Sequence, residues 1–313
     1  MERTQMPIYV VGSINQDYIL RVPTTPQPGE TILASGIRKL AGGKGANQAV
    51  AAARLGGDVR LIGCVGDDDD GSRLLRHLRS EGVGVDEVEI VGQSPTGMAI
   101  VSVDVAGENS IIVVPGANFA LTSSRVRQSI KREFVDGIIV MQAEVPARLI
   151  QEIAAFSKEE GARLVLNLAP YTELPAETLA VCDPLVVNET EAAALGGAFD
   201  PNDARLVALE LAKRARSVVI TLGARGAVWA DQASSGVVPA HPVTEIIDTT
   251  GAGDAFIGAM CARLAQSASL AAACELGVFA GSFAVAREGA QSSFPALADL
   301  EEFGRAERVV TSS

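Results

Sequence analysis

Short apolar runs bounded by glycine, proline or polar residues recur along the chain and alternate with longer stretches of helical periodicity. The first run, Pro7-Ile8-Tyr9-Val10-Val11-Gly12, predicts a buried strand. Further strand-like runs cover residues 59–65, 137–141, 163–166, 184–187 and 218–222. Between them lie helix-like stretches at 72–81, with Leu74, Leu75 and Leu78 on one face, at 147–160 and at 203–214. Near-continuous apolar strands alternating with helices predict a mostly parallel sheet covered on both faces. Extended segments at 17–22, 31–40, 98–103 and 110–114 break that alternation. They are assigned to a small second sheet, with residues 106–109 as a hairpin turn between the last two.

Glycine marks the remaining boundaries. A glycine-rich loop at 41–48 leads into an alanine-rich helix at 49–55, which Gly56-Gly57 ends. The loop is not a P-loop, because Gly45 follows Lys44 where Ser or Thr is required. The sequence Asp248-Thr249-Thr250-Gly251-Ala252-Gly253-Asp254 opens a small-residue helix at 255–264. An apolar helix follows at 268–286, and the tail from Ala298 reads as a terminal surface helix.

Composition narrows the class without changing this outline. A chain of 313 residues with 48% hydrophobic and 20% charged residues suits a soluble globular protein, and residues 1–313 read as one unit. A net charge of −12 argues against nucleic acid or an anionic membrane as partner. Cys64, Cys182, Cys261 and Cys274 have no metal-ligand or redox spacing and read as reduced core residues. Residues 1–7 lack a signal-like apolar core and no run reaches membrane-spanning length, so a cytoplasmic protein is expected. With His77 and His241 as the two histidines, a multi-histidine metal site is excluded; His77 reads as a surface residue and Asp67-Asp68-Asp69-Asp70 as a solvated loop.

Candidate chemistry lies where the strands end. In an open parallel sheet, ligands bind outside the carboxyl ends of the strands. The residues following each strand are Asn15 and Asp17, Gln142 and Glu144, Asn167, Asn188 with Glu189 and Glu191, and Thr221 with Gly223. Asn and Thr also cap helices, but five such placements predict a polar rim. Asn15 and Asp17 suit hydroxyl groups, and Lys44 and Asn47 can face a ligand from the glycine-rich loop. At 248–254, glycines expose helix N-terminal N–H groups to an anion, while Asp254 sits in the same first turn. A base beside an anion hole is the arrangement that phosphoryl transfer needs.

These stretches resemble the ribokinase-like (PfkB) sugar kinase family over nearly the whole chain. The resemblance rests on Gly12 to Asp17, Gly42-Gly43-Lys44-Gly45-Ala46-Asn47-Gln48, Met141-Gln142-Ala143-Glu144, Asn188-Glu189-Thr190-Glu191, Thr221 to Gly226 and Asp248 to Asp254. It implies an α/β fold, a three-layer α/β/α sandwich with a small β-sheet lid formed by segments about 17–40 and 98–114. It implies ATP-dependent phosphorylation of a sugar hydroxyl, D-ribose to D-ribose 5-phosphate being the leading case.

The implied roles follow residue by residue. Asp254 is the base, and Gly251, Ala252, Gly253 and Asp254 form the anion hole. Asn15, Asp17, Gly42, Gly43, Lys44, Asn47 and Glu144 contact the sugar. Asn188 and Thr221, Leu222, Gly223, Ala224, Arg225 and Gly226 serve the nucleotide with Gly253, and Val278 lies along the adenine. Glu191 organises Mg2+ through water. A K+ activator is expected at Asp248, Thr250, Ala284, Arg287, Gly289 and Ser293. Paired lids imply a homodimer. The chain departs from the pattern at Gln16 and Tyr18, beside the sugar contacts, where smaller side chains are common. Another sugar or a nucleoside as acceptor, or a sugar-binding regulator without catalysis, are the competing readings.

Overall fold

The computed structural model describes residues 5–105, 109–130, 137–196, 199–200 and 203–300. The chain opens with β1 (Ile8–Val11), β2 (Asn15–Arg21), β3 (Gly36–Gly42), α1 (Lys44–Arg54), β4 (Val59–Ile62), β5 (Cys64–Gly66) and α2 (Asp69–Ser80). It continues with β6 (Glu89–Val91), β7 (Gly97–Val103), β8 (Asn109–Val114), α3 (Ser123–Ser129), β9 (Ile138–Gln142), α4 (Ala147–Glu160) and β10 (Arg163–Asn167). Then come α5 (Ala176–Leu179), β11 (Cys182–Asn188), α6 (Glu189–Gly196), α7 (Ala204–Ala212), β12 (Ser217–Thr221), β13 (Ala227–Asp231), β14 (Ser235–Val238), α8 (Ala252–Leu264) and α9 (Leu270–Val285).

The central sheet has eight strands in the order β14-β13-β12-β11-β10-β9-β1-β4. Its pairs are parallel from β4 to β12, and β13 and β14 add an antiparallel edge. Strand alternation divides the core between two faces. Ile8 and Val10 of β1 face a layer containing α1, α8 and α9. Tyr9 and Val11 face the layer containing α4 and α7. The result is the expected three-layer sandwich.

Small residues set the spacing of the first layer. A Cβ at Gly258 of α8 would lie 2.4 Å from the Ala51 Cβ of α1, so those two helices touch backbone to backbone. At Gly277 of α9 a Cβ would come within 2.9 Å of the Phe256 ring. The alanine-rich α1 thus lies closely against α8, and the N-termini of both helices open on the same end of the sheet.

A second sheet of order β3-β2-β7-β8 stands apart, with β2 and β7 parallel and the outer pairs antiparallel. It is tied to the body by side chains. The Tyr18 hydroxyl donates to Asp70 at 2.5 Å, and Lys39 and Arg73 pair with the same carboxylate at 3.6 and 3.1 Å. Arg38 pairs with Glu288 on the loop after α9. The acidic run is therefore not simply solvated. Asp68 caps α2 by accepting from the Gly71 N–H at 2.7 Å and also holds the Thr96 N–H and hydroxyl at 2.8 and 2.6 Å.

Several expected boundaries shift. The segment at 31–40 pairs only from Gly36, and its strand runs on through Gly42 because β2 continues to offer partners down to Asn15. The helix expected from residue 49 already begins at Lys44, with Gly43 at φ 87° as its N-cap. The run at 59–65 divides at Gly63 into β4, in the central sheet, and β5, which pairs with β6. The β13–β14 edge was not anticipated. Residues 106–108 of the expected hairpin turn lie outside the described residues; of the terminal helix, 297–300 are helical and 301–313 lie outside.

Loss of the Asp68 carboxylate removes a helix cap and leaves the Thr96 donors without their acceptor. Asp68→Ala should lower unfolding free energy by about 1–3 kcal/mol, read from the urea midpoint at constant m.

Candidate active site

The N-termini of α1 and α8 meet at Asp254. Its carboxylate is buried, with 8% exposure, in the first turn of α8. Asn47 and Gln48, adjacent on α1, each donate a side-chain amide N–H to a different oxygen, both at 2.9 Å. Gly251 caps α8 in the left-handed region at φ 78°, and a Cβ there would meet the Ala290 Cα at 2.8 Å and the Phe294 ring at 2.9 Å. Gly253, in contrast, faces open space. Helix geometry leaves the first N–H groups of α8 without intrahelical acceptors, so they form an anion-attracting turn beside Asp254.

The residues expected to contact a sugar gather where β2 and β3 of the second sheet meet the start of α1. Asp17 lies against Gly42, where any Cβ would sit 2.1 Å from its Oδ2, so only glycine leaves room for that carboxylate. Its Oδ1 is buried without a partner. Burial first, then the neighbouring Glu144 and Asp254 charges, push the Asp17 carboxyl up to about 7, against the pull of Lys44. Asn15 is buried, and its Oδ1 accepts from Asn118 at 2.7 Å. Asn118 in turn accepts from the Ile14 N–H at 2.9 Å, a supporting role with no sequence signal of its own. Glu144 accepts from the Ser13 hydroxyl at 2.5 Å and the Lys44 N–H at 3.1 Å, which locks the start of α1 to the end of β9. Gly43 is required as well, since a Cβ would stand 2.7 Å from the Asn15 nitrogen.

Lys44 is the local cation. Asp254 contributes most to raising its pKa, against the opposing effect of burial, with Glu144, Glu191 and Asp17 adding to the rise. A cleft of about 180 Å³ opens next to it. Asn188, Glu191, Thr221, Gly251, Gly253 and Asp254 line it together with Lys44. Asn167, noted earlier only for its place after a strand, lines it too, as do Val186, Val187, Ala169 and Ile257.

Asn188 and Glu191 also have a structural task. The Glu191 N–H donates to Asn188 Oδ1 and the Asn188 N–H to Glu191 Oε2, both at 2.8 Å. This is a reciprocal capping box at the start of α6. Burial raises the Glu191 carboxyl, against the pull of the Asn188 N–H and Lys44.

The expected nucleotide residues divide. Gly223, Ala224 and Arg225 form an exposed turn after β12, with Arg225 paired to Glu189. Gly226 closes the turn at φ 91°, with no room for a Cβ beside the Val238 carbonyl at 2.0 Å. Leu222 points into the core on one face of the sheet, and Val278 is buried on α9, outside the cleft lining.

Behind α8 lies the loop expected to take a monovalent cation. Asp248 accepts from the Thr250 N–H at 2.9 Å and the Gly289 N–H at 2.8 Å. Burial opposes its ionisation, but the Thr250 and Gly289 donors outweigh it and hold the carboxyl below its usual range. The Ala284 carbonyl accepts from the Arg287 N–H at 3.0 Å, Arg287 reaches back to the Phe283 carbonyl at 3.0 Å, and the Ser293 hydroxyl donates to the Ala290 carbonyl at 2.7 Å. The donor set is carboxylate, carbonyl and hydroxyl oxygen, which suits a hard cation.

The chain is similar over nearly its whole length to known proteins. The sequence profile of the pfkB family of carbohydrate kinases matches residues 7–297. The ribokinase of Haemophilus influenzae is 37% identical over 297 residues, covering 94% of this chain and 97% of that protein. A deoxyribokinase of Salmonella typhi is 36% identical over 302 residues, covering 95% and 98%. The structure of Arabidopsis thaliana ribokinase complexed with ribose and ATP superposes with a TM-score of 0.88 at 31% identity, covering 95% of this chain and 98% of that one.

The two glycines of the α8 turn should respond differently to a methyl group. Gly251→Ala forces a left-handed residue into Ala290 and Phe294 and should lower the thermal midpoint, by about 1 kcal/mol or more of stability. Gly253→Ala should leave the midpoint within a degree or two.

Proposed function

The chain belongs to the pfkB family of carbohydrate kinases, and from that premise we propose that it transfers the γ-phosphoryl group of ATP to a hydroxyl of D-ribose, giving D-ribose 5-phosphate and ADP. The observation that carries this reading is Asp254, a buried carboxylate at the N-terminus of α8, between the sugar-type residues under the lid and the cleft. As base it takes the hydroxyl proton while the new O–P bond forms and the bond to the ADP oxygen breaks. The N–H groups of the Gly251 to Asp254 turn and the Lys44 ammonium offset negative charge on the transferring group. Asp17, Asn15, Asn47 and Glu144 orient the sugar, with Gly42 and Gly43 giving it backbone approach. Asn188 and the Thr221 to Gly226 turn hold the nucleotide.

Glu191 suits Mg2+: it is buried at the cleft, and only its Oε2 is taken by the Asn188 N–H. Among the described residues no group of three or more His, Cys, Asp or Glu could cage a metal, which fits an ion carried mainly by phosphates. Bound there, Mg2+ would neutralise phosphate charge. K+ would sit with Asp248 and the 284–293 loop, behind the anion-binding turn.

The second sheet exposes Ile37 on β3 and Ile111 and Ile112 on β8, apolar surface at both of its edges that supports pairing of two lids in a homodimer. Among the described residues no helix is long and apolar enough to cross a membrane. The four unpaired, buried cysteines support a cytoplasmic setting. Deoxyribose is the second reading, favoured by the deoxyribokinase relative.

A panel of ribose, deoxyribose, fructose and adenosine with Mg-ATP, assayed for ADP release in potassium and in sodium, tests these assignments. Ribose should react fastest and potassium should accelerate it. Asp254→Asn should lower kcat by about 10²–10⁴-fold while ADP binding persists. Ligand binding with no turnover of any acceptor would leave a non-catalytic regulator instead.

Asp17 predicts the pH response. Its folded pKa, about 7, lies above the unfolded carboxylate value, so the folded state binds the extra proton between about pH 4 and 7. Stability of the ligand-free protein should therefore fall as pH rises through that window. Sugar kcat/KM should rise through about 7 as the carboxylate ionises to accept hydroxyls. Asp17→Asn should remove both dependences.

A further inference from the structure

Asp254 is held by two chains of side-chain amides that reach it from opposite sides. On one side Gln142 Nε2 donates to Gln48 Oε1 at 2.8 Å, and Gln48 Nε2 donates to Asp254 Oδ1 at 2.9 Å and to Asn167 Oδ1 at 3.1 Å. On the other, His77 Nε2 meets Gln291 Oε1 at 2.7 Å, Gln291 Nε2 donates to Asn47 Oδ1 at 2.8 Å, and Asn47 Nδ2 donates to Asp254 Oδ2 at 2.9 Å.

The polarity of both chains follows from one fact. An ionised carboxylate only accepts hydrogen bonds, so Gln48 and Asn47 must turn their NH2 groups toward it. Their oxygens then face outward and require donors, which Gln142 and Gln291 supply. Gln291 Oε1 in turn requires a donor, a role that the His77 ring nitrogen Nε2, 2.7 Å away, can fill. Each donor in the two chains points toward Asp254, and such chains reinforce one another in a low-dielectric interior.

The supports are rigid. Gln48 is buried, with 1% exposure, and Gln291 is 5% exposed. Arg54, near the end of α1, donates to the Gln291 and Phe294 carbonyls at 2.7 and 2.8 Å and pairs with Glu81 at 2.7 Å. Helix α1 therefore grips Gln291 twice, by its backbone through Arg54 and by its side chain through Asn47. Neither Gln48 nor Gln291 lines the cleft.

We propose that Gln48 and Gln291 are positioning residues for Asp254, fixing the plane of its carboxylate so that its remaining lone pairs face the acceptor hydroxyl. This rests on the reading of Asp254 as the base. Gln48 acts directly on one oxygen. Gln291 acts on the other through Asn47, so its removal has the smaller effect. Groups charged or titratable around the same carboxylate are Lys44 on α1, Asp17 on β2, Glu144 after β9 and Glu191 on α6. None of them is altered by changing either glutamine.

The test uses the full chain with Gln48→Met, Gln48→Glu and Gln291→Met. Methionine keeps the volume and removes the donor, whereas glutamate keeps the shape and reverses the polarity toward Asp254. With ribose and Mg-ATP, both Gln48 variants should lose about 10–100-fold in kcat, with sugar KM and ADP affinity within twofold of the parent. Gln291→Met should lose about 3–10-fold in kcat, again without a change in KM. Thermal unfolding of each variant separates this from loss of folded protein. Crystal structures of the variants should show the Asp254 carboxylate turned from its parental plane. A kcat within twofold of the parent in both Gln48 variants, or an unmoved carboxylate, would overturn the proposal. If the parent phosphorylates no sugar, the kinase reading fails, and the Asp254 orientation in the same crystals still decides whether the glutamines position it.

Discussion

The close approach of α1 and α8 is the constraint on which the site depends. Gly258 lets the helices meet at Ala51 without intervening side chains, and the helices run to a shared end where both N-termini open. Asn47 and Gln48 therefore reach Asp254 at hydrogen-bond distance rather than through water. A bulkier pair of helix faces would separate these groups by several ångströms and leave a buried carboxylate without its hydrogen-bond donors. The packing of small apolar residues and the hydrogen bonding of Asp254 are in this sense one problem.

The acidic character of the chain, with a net charge of −12, extends to the same point. Asp17, Glu144, Glu191 and Asp254 surround Lys44, which is correspondingly harder to deprotonate. Burial first, and then the neighbouring Glu144 and Asp254 carboxylates, raise Asp17. Neutral amides rather than further cations hold Asp254.

The parts that must cooperate are also mechanically joined. Arg38 on β3 pairs with Glu288, next to Gly289, whose N–H holds Asp248. Tyr18 ties β2 to Asp70 at the start of α2. Arg54 fixes the 291–294 segment against α1. The second sheet, the loop after α9 and the start of α8 are thus linked through a few side chains on elements far apart in sequence.

Local chemistry made much of this legible in the sequence. Strand–helix alternation specified the three layers, because buried parallel strands and amphipathic helices carry distinct periodicities. Glycines at 42, 43, 251 and 253 and the polar residues after each strand marked the site, because backbone approach and strand ends follow from residue type. Partnership did not show. Tyr18 with Asp70, and His77 with Gln291, read separately as a substitution, a solvated run and a surface residue. The start of α1 at Lys44 depended on Glu144, 100 residues away, accepting its N–H. The raised Asp17 pKa depended on burial and on two carboxylates from other elements. The sequence by itself determined which groups could accept, donate or bend. Only the tertiary structure decided which of them met, because hydrogen bonds and charge interactions act over a few ångströms and are indifferent to separation along the chain.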